Sequence, residues 1–129
     1  MVTTRSSSIG ILLIDCHPMI RVALAASLQV YDGVEMLGEA EDAETGLTCV
    51  ERLKPDVVIT ELVLPRMSGV ELTKRLTETF PTIKVIALSA SFDERDIDAI
   101  LAAGARKHLS KNLVSVDELV QTIHEVFRA

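Results

Sequence analysis

The chain has 129 residues, room for one domain with a proper core, and 48% of its side chains are hydrophobic against 25% charged, which is ordinary globular usage. Its formal net charge of −6 and pI of about 5.0 make a surface that repels a phosphate backbone, so direct nucleic-acid binding by charge is excluded. No apolar stretch approaches the roughly 20 residues of a membrane-spanning helix, and the start "MVTTRSSS" is too polar for a signal peptide. With Cys16 and Cys49 outside any zinc-like spacing, the expectation is a cytoplasmic protein with free thiols and no membrane contact.

Aromatic residues are only 3% and Trp is absent, so the core must be built from Val, Ile, Leu and Ala, as in sheets covered by helices on both faces. Residues 1–8 read as a disordered polar tail, and 9–129 as one folded domain. "GILLID" (10–15) is a strand-length apolar run that ends on Asp15, and Pro18 then suits the first turn of a helix carried by Ile20, Ala23, Leu24 and Leu28. "YDG" (31–33) closes that segment, and "VEMLGEA" (34–40) predicts a second strand. Asp42 opens a second helix carried by Leu47, Val50 and Leu53, after which Val57–Thr60 forms a third strand that stops at Glu61.

The remaining punctuation is regular. "SGVE" (68–71), "SFDE" (91–94) and "SVDE" (115–118) each place Ser three residues before Glu, the capping-box spacing, and so predict three helix starts. The third helix carries Leu72 and Leu76. The fourth carries Ile97, Ile100 and Leu101 up to a stop at Gly104, and the fifth carries Leu119, Val120, Ile123, Val126 and Phe127. "KVIALS" (84–89) and "RKHLSK" (106–111) lie between them as the fourth and fifth strands. Five alternating strand-helix pairs, with crossovers of one hand, give an α/β three-layer sandwich around a five-stranded parallel sheet.

Sites in such sheets gather at the carboxyl ends of the strands, where strand order reverses. That rule selects Asp15 and Cys16 after the first strand, Glu61 after the third, Ser89 after the fourth and Lys111 after the fifth. Carboxylates, a hydroxyl and an ammonium at one edge suit a phosphoryl group, since the acid accepts it or binds its metal while the hydroxyl and ammonium hold its oxygens. Singly, an acid at a strand end is more often a loop-capping residue. Four such residues on four strands form a joint signal. A flavodoxin-like cofactor binder has little support, because "DCHP" stands where a phosphate-cradling Gly/Ser/Thr loop would follow the first strand.

These stretches resemble the receiver domains of bacterial response regulators, most of all those of NarL/FixJ (LuxR-type) transcription factors. "ILLIDCHPMIRVALAASL" is similar to their opening, "GEAEDAETGL" to their second strand and helix, "PDVVITELVLPRMSGVEL" to their phosphorylation loop and "AGARKHLSK" to their last switch segment. The resemblance implies a flavodoxin-like fold with strand order 2-1-3-4-5, a signalling role rather than an enzymatic one, and an aspartate after the third strand that accepts a phosphoryl group from a histidine kinase. It also implies Mg²⁺ held by paired acids, a homodimer, and a linker with a helix-turn-helix output domain beyond the receiver. Arg95, Asp96, Asp98, Arg106, Glu118 and Glu125 then offer contact surfaces, although such charges are more often a solvated face.

Carried over by position, Asp15 matches the first paired acid, Ser89 the switch hydroxyl and Lys111 the conserved lysine. Cys16 stands where the family has its second acid, Glu61 replaces the acceptor aspartate, and His108 replaces the aromatic switch residue. Val63 could still supply the backbone carbonyl that the family's metal uses. A thiol is a poor donor for Mg²⁺, and two carboxylates facing one ammonium leave the pocket less negative than the family pattern, so Mg²⁺ binding is expected to be weak. The extra methylene moves the Glu61 carboxylate by about 1.5 Å, enough to disturb in-line transfer, and lets it reach Lys111 and Ser89 directly. The expectation is therefore an atypical receiver with phosphorylation lost or weakened; the alternative is an active receiver accepting a phosphoryl group on Glu61 with Mg²⁺. His108 can titrate near neutral pH as a switch or simply fill a strand end. Cys16 beside His17 has a redox or soft-metal reading, against which stands the ordinary occurrence of acid-histidine pairs here in the family. Cys49 reads as core.

Overall fold

We describe the protein from a computed structural model, in which residues 8–129 are described; apart from Ser8, the tail expected at residues 1–8 lies outside them. Five strands and five helices alternate along the chain: β1 (Ile9–Ile14), α1 (Pro18–Gln29), β2 (Val34–Ala40), α2 (Ala43–Leu53), β3 (Val57–Thr60), α3 (Gly69–Thr79), β4 (Lys84–Ser89), α4 (Glu94–Ala102), β5 (Lys107–Ser110) and α5 (Val116–Arg128). All pairings are parallel and the strand order is β2-β1-β3-β4-β5, as expected. Parallel strands need crossover connections, and the helices supply them.

Strands β1 and β3 are buried throughout, because both of their faces are covered, which is why they read as continuous apolar runs rather than alternating ones. One face of the sheet packs Leu12, Ile14, Val58, Val85 and Ala87 against Val50 of α2, Leu72 and Leu76 of α3 and Ile100 of α4. The other packs Ile11, Leu13, Ile59, Ile86 and Leu88 against Leu28 of α1 and Leu119, Ile123 and Val126 of α5. The three layers follow from that division.

Several expectations change in detail. β5 is shorter than "RKHLSK", and Ala23, Leu101 and Phe127 are exposed rather than core. Of the three expected capping boxes, only Ser115 forms the full reciprocal pair with Glu118. Ser68 accepts from the Glu71 amide and caps α3 with its own hydroxyl. Ser91 does not cap α4. Asp93 stands at that position and accepts from the Arg95 amide, because the helix starts two residues later than the Ser-to-Glu spacing suggests, and an aspartate competes well for exposed amides.

Candidate functional site

The order of strands reverses between β1 and β3, so the loops leaving these two strands diverge and open a crevice between them. Ile14 pairs with Thr60 across the sheet, which places the next residues, Asp15 and Glu61, side by side at that crevice. Both are buried, at 2% and 6% exposure, depths at which a carboxylate needs partners.

Lys111 supplies one. Its Nζ lies 2.5 Å from Asp15 Oδ2 and 2.5 Å from Glu61 Oε1, so a single ammonium bridges the two acids. The lysine follows β5, whose position is fixed where the Lys111 amide donates to the Ser89 carbonyl at 2.9 Å. Its stem borders an apolar cavity of about 150 Å³ between α1 and α5, lined also by Ile20, Leu24, Leu88 and Leu119, and its charged head reaches past β4 to the acids. Burial alone would lower the Lys111 pKa, but its contacts with Asp15 and Glu61 outweigh that and hold it above the usual lysine value. Burial likewise opposes ionisation of Asp15; Lys111 and the His17 amide and ring overcome it, and its carboxyl stays below the usual range.

The second oxygens of both acids are occupied as well. Asp15 Oδ1 accepts from the His17 amide at 2.9 Å and lies 2.8 Å from the His17 Nδ1. Glu61 Oε2 accepts from the Leu62 amide at 2.7 Å and the Val63 amide at 3.4 Å, so the longer side chain folds back onto its own loop. Gly69 makes that loop compact: its amide donates to the Leu62 carbonyl at 2.8 Å, and a Cβ there would stand 2.2 Å from the Glu61 carbonyl oxygen. Only glycine permits this approach.

Ser89, fully buried, does not bond to Glu61. Its hydroxyl pairs with His108 Nε2 at 2.8 Å and accepts from the Ser91 amide at 3.3 Å. The expected reach of Glu61 is thus met at Lys111 and not at Ser89. Burial holds the His108 ring below the usual imidazole value, with the Glu61 charge only partly offsetting it. Cys16 is half-buried beside Asp15, and Val63 is exposed. Cys49 is buried in α2, as expected for core.

His17, weighed in the sequence only as a neighbour of Cys16, and two arginines that the sequence did not single out complete the surroundings. His17 holds Asp15 as above. Arg21 of α1 donates to the Asp15 carbonyl at 2.6 Å and to Glu39 at 3.3 Å, and Arg66, at φ 67°, ties the β3–α3 loop to Asp42 at 2.6 Å. Their only sequence signal was charge near the right strand ends, which does not separate them from other surface arginines.

A doubly covered parallel sheet in order 2-1-3-4-5, with two acids, a hydroxyl and a lysine at its switch point, is the architecture of a receiver domain. The match to the response regulator receiver domain over residues 11–124 shows that the chain belongs to that family, the signalling domains of two-component systems. It is 37% identical over 103 residues to the transcriptional regulatory protein LiaR of Bacillus subtilis, covering 80% of this chain and 49% of LiaR. It is 33% identical over 119 residues to the response regulator GacA of Pseudomonas viridiflava, covering 92% and 55%. The chain therefore spans about half the length of these relatives. Among solved structures, the signal receiver domain of the response regulator NarL from Mycobacterium tuberculosis superposes with a TM-score of 0.88 at 22% identity, covering 95% of this chain and 98% of that one; at such identity the likeness speaks to the fold. Among the described residues no helix is long and apolar enough to cross a membrane.

Proposed function

We propose that this chain is an atypical receiver whose phosphoryl-accepting site is weakened and held by an internal ion pair. The observation that carries the reading is Lys111 Nζ at 2.5 Å from both Asp15 and Glu61. The ammonium neutralises the acids where a metal and a phosphoryl group would otherwise meet them, and all four carboxylate oxygens already have protein partners.

Such a donor set does not fit Mg²⁺. That ion wants near-ideal octahedral coordination by oxygen, and Cys16 offers sulfur in its place. Glu61 at the acceptor position places its carboxylate farther from the backbone than an aspartate would and turns one oxygen back onto the Leu62 amide, away from in-line geometry.

The full relatives are about twice as long, and one is a transcriptional regulatory protein, which supports reading this chain as the regulatory receiver of a transcription regulator. Such a receiver acts by contact, as a homodimer or against its output domain, with a histidine kinase as a dispensable partner.

The test is an amide NMR titration with Mg²⁺ and then beryllofluoride, read at Glu61, Ser89, His108 and Lys111. The expected result is no saturable shift in the native chain, and Mg²⁺-dependent shifts in the E61D/C16D double variant. A saturable response of the native chain, spreading from Glu61 to α4, would overturn the proposal and establish the active receiver instead.

A further inference from the structure

The departure from the family's acid pair leaves three consecutive side chains, Asp15, Cys16 and His17, at the mouth of the crevice. A carboxylate oxygen, a thiol sulfur and a ring nitrogen from these residues all lie within 4.8 Å of one another. His17 Nδ1 stands 2.8 Å from Asp15 Oδ1 and 3.8 Å from Cys16 Sγ, and His17 Nε2 stands 4.0 Å from the same sulfur. Zinc bonds of 2.0–2.3 Å arranged tetrahedrally set ligand atoms about 3.3–3.6 Å apart. The Nδ1–Sγ distance of 3.8 Å is near that spacing. The Nδ1–Oδ1 contact of 2.8 Å opens by about half an ångström to admit the ion, and the sulfur and carboxylate oxygen, within 4.8 Å, close toward it.

The geometry points to a site for a borderline divalent cation of the zinc class, held by Asp15 Oδ1, Cys16 Sγ and a ring nitrogen of His17, with water in the fourth position. Its chemistry is opposite to that of a magnesium site, since sulfur and imidazole select the softer ion. Charge supports the assignment. Asp15 keeps Oδ2 on Lys111 and one lone pair of Oδ1 on the His17 amide, so a metal replaces only the contact between Oδ1 and the His17 ring, the one partner that is itself a metal ligand. Metal binding displaces the Cys16 thiol proton to solvent, giving one thiolate and one carboxylate on a divalent ion.

Local structure favours the arrangement. Pro18 starts α1 and His17 stands at its N-cap with extended backbone, so Asp15, Cys16 and His17 lie at a bend between β1 and α1. The His17 side chain is 61% exposed, so an ion in solvent reaches its ring. When the ring coordinates through Nδ1, the metal takes the place of the proton between Nδ1 and Oδ1, and the ring carries its hydrogen on Nε2. Cys16 is half-buried, which leaves the sulfur reachable.

The experiment titrates the full chain with Co²⁺ alone as a spectroscopic probe, then displaces it with Zn²⁺, under reducing conditions. The expected result is saturation at one ion per chain, with a sulfur-to-cobalt charge-transfer band that Zn²⁺ abolishes and a large excess of Mg²⁺ does not. Cys16→Ser removes the band and Cys49→Ala keeps it. His17→Ala weakens binding by at least roughly tenfold, the scale on which even outer contacts to a metal act. Both altered ligands are at least partly exposed, so unchanged unfolding midpoints confirm that the variants are folded. Absence of the band in the native chain, its survival in Cys16→Ser, or its dependence on Cys49 would overturn the site.

Discussion

Lys111 is the residue on which the site depends. Its side chain is 11% exposed and faces two carboxylates that are more deeply buried still, so removing it leaves like charges without a counterion. Lys111→Met is expected to cost about 3 kcal/mol, the usual scale for breaking a buried pair from one side. Urea unfolding should show the largest loss at neutral pH, shrinking in acid as the carboxyls take up protons. In the native chain the Asp15 contribution is present above its ordinary value of 3.8 and is lost as pH falls through its lower folded value. The Lys111 contribution is present below 10.5 and is lost as pH rises through its higher folded value. Between those limits the pair is insensitive to pH. His108 supplies the sensitivity instead. Its folded pKa lies below the ordinary 6.5, so the folded state prefers the neutral ring, and stability present above 6.5 declines as pH falls below it. His108→Gln should therefore flatten the fall in urea midpoint between pH 7 and pH 5; an unchanged slope would assign the fall to other groups.

At the scale of elements, three Ser-to-Glu spacings that look equivalent in sequence behave differently. Ser115→Ala removes half of a reciprocal box at α5 and should cost about 1 kcal/mol, whereas Ser91→Ala should change the unfolding midpoint little, because Asp93 caps α4. Asp93→Ala then carries the α4 penalty. The comparison shows what was legible. Apolar runs and punctuation located all ten elements, since burial and turn chemistry act locally. Choosing among two or three adjacent caps depends on where the helix axis meets the sheet, and no local pattern contains that. The site divided similarly. Asp15, Glu61 and Lys111 were selected by the switch-point rule, and the reach of Glu61 to Lys111 followed from one methylene. The pairing of Ser89 with His108 was not foreseen, because it depends on two side chains from the neighbouring strands β4 and β5 choosing each other over the acid that follows β3. Arg21 and Arg66 escaped because a charge near a strand end does not say which carbonyl or carboxylate it will reach.

At the scale of the whole molecule, the sheet separates two cores that share no side chain. Leu72→Ala on one face and Ile123→Ala on the other should each cost about 2–5 kcal/mol, and the double variant should show their sum within about 0.5 kcal/mol. A large departure from additivity would mean that the sheet transmits packing strain between its faces. The same sheet has two open edges, β2 and β5, and β5 is only four residues long. Edge strands ordinarily breathe first, and their amides trade hydrogen with water while the centre stays shut. Here the residue that ends the β5 edge also holds the middle of the sheet, because the Lys111 ammonium is fastened to side chains that follow β1 and β3. Fraying of β5 must therefore strip two buried acids of their counterion. The edge amides, that of Lys111 on the Ser89 carbonyl among them, should exchange nearly as slowly as those of β3 and lose that protection in Lys111→Met. In this domain the clasp on the acids is also the latch on the sheet's edge.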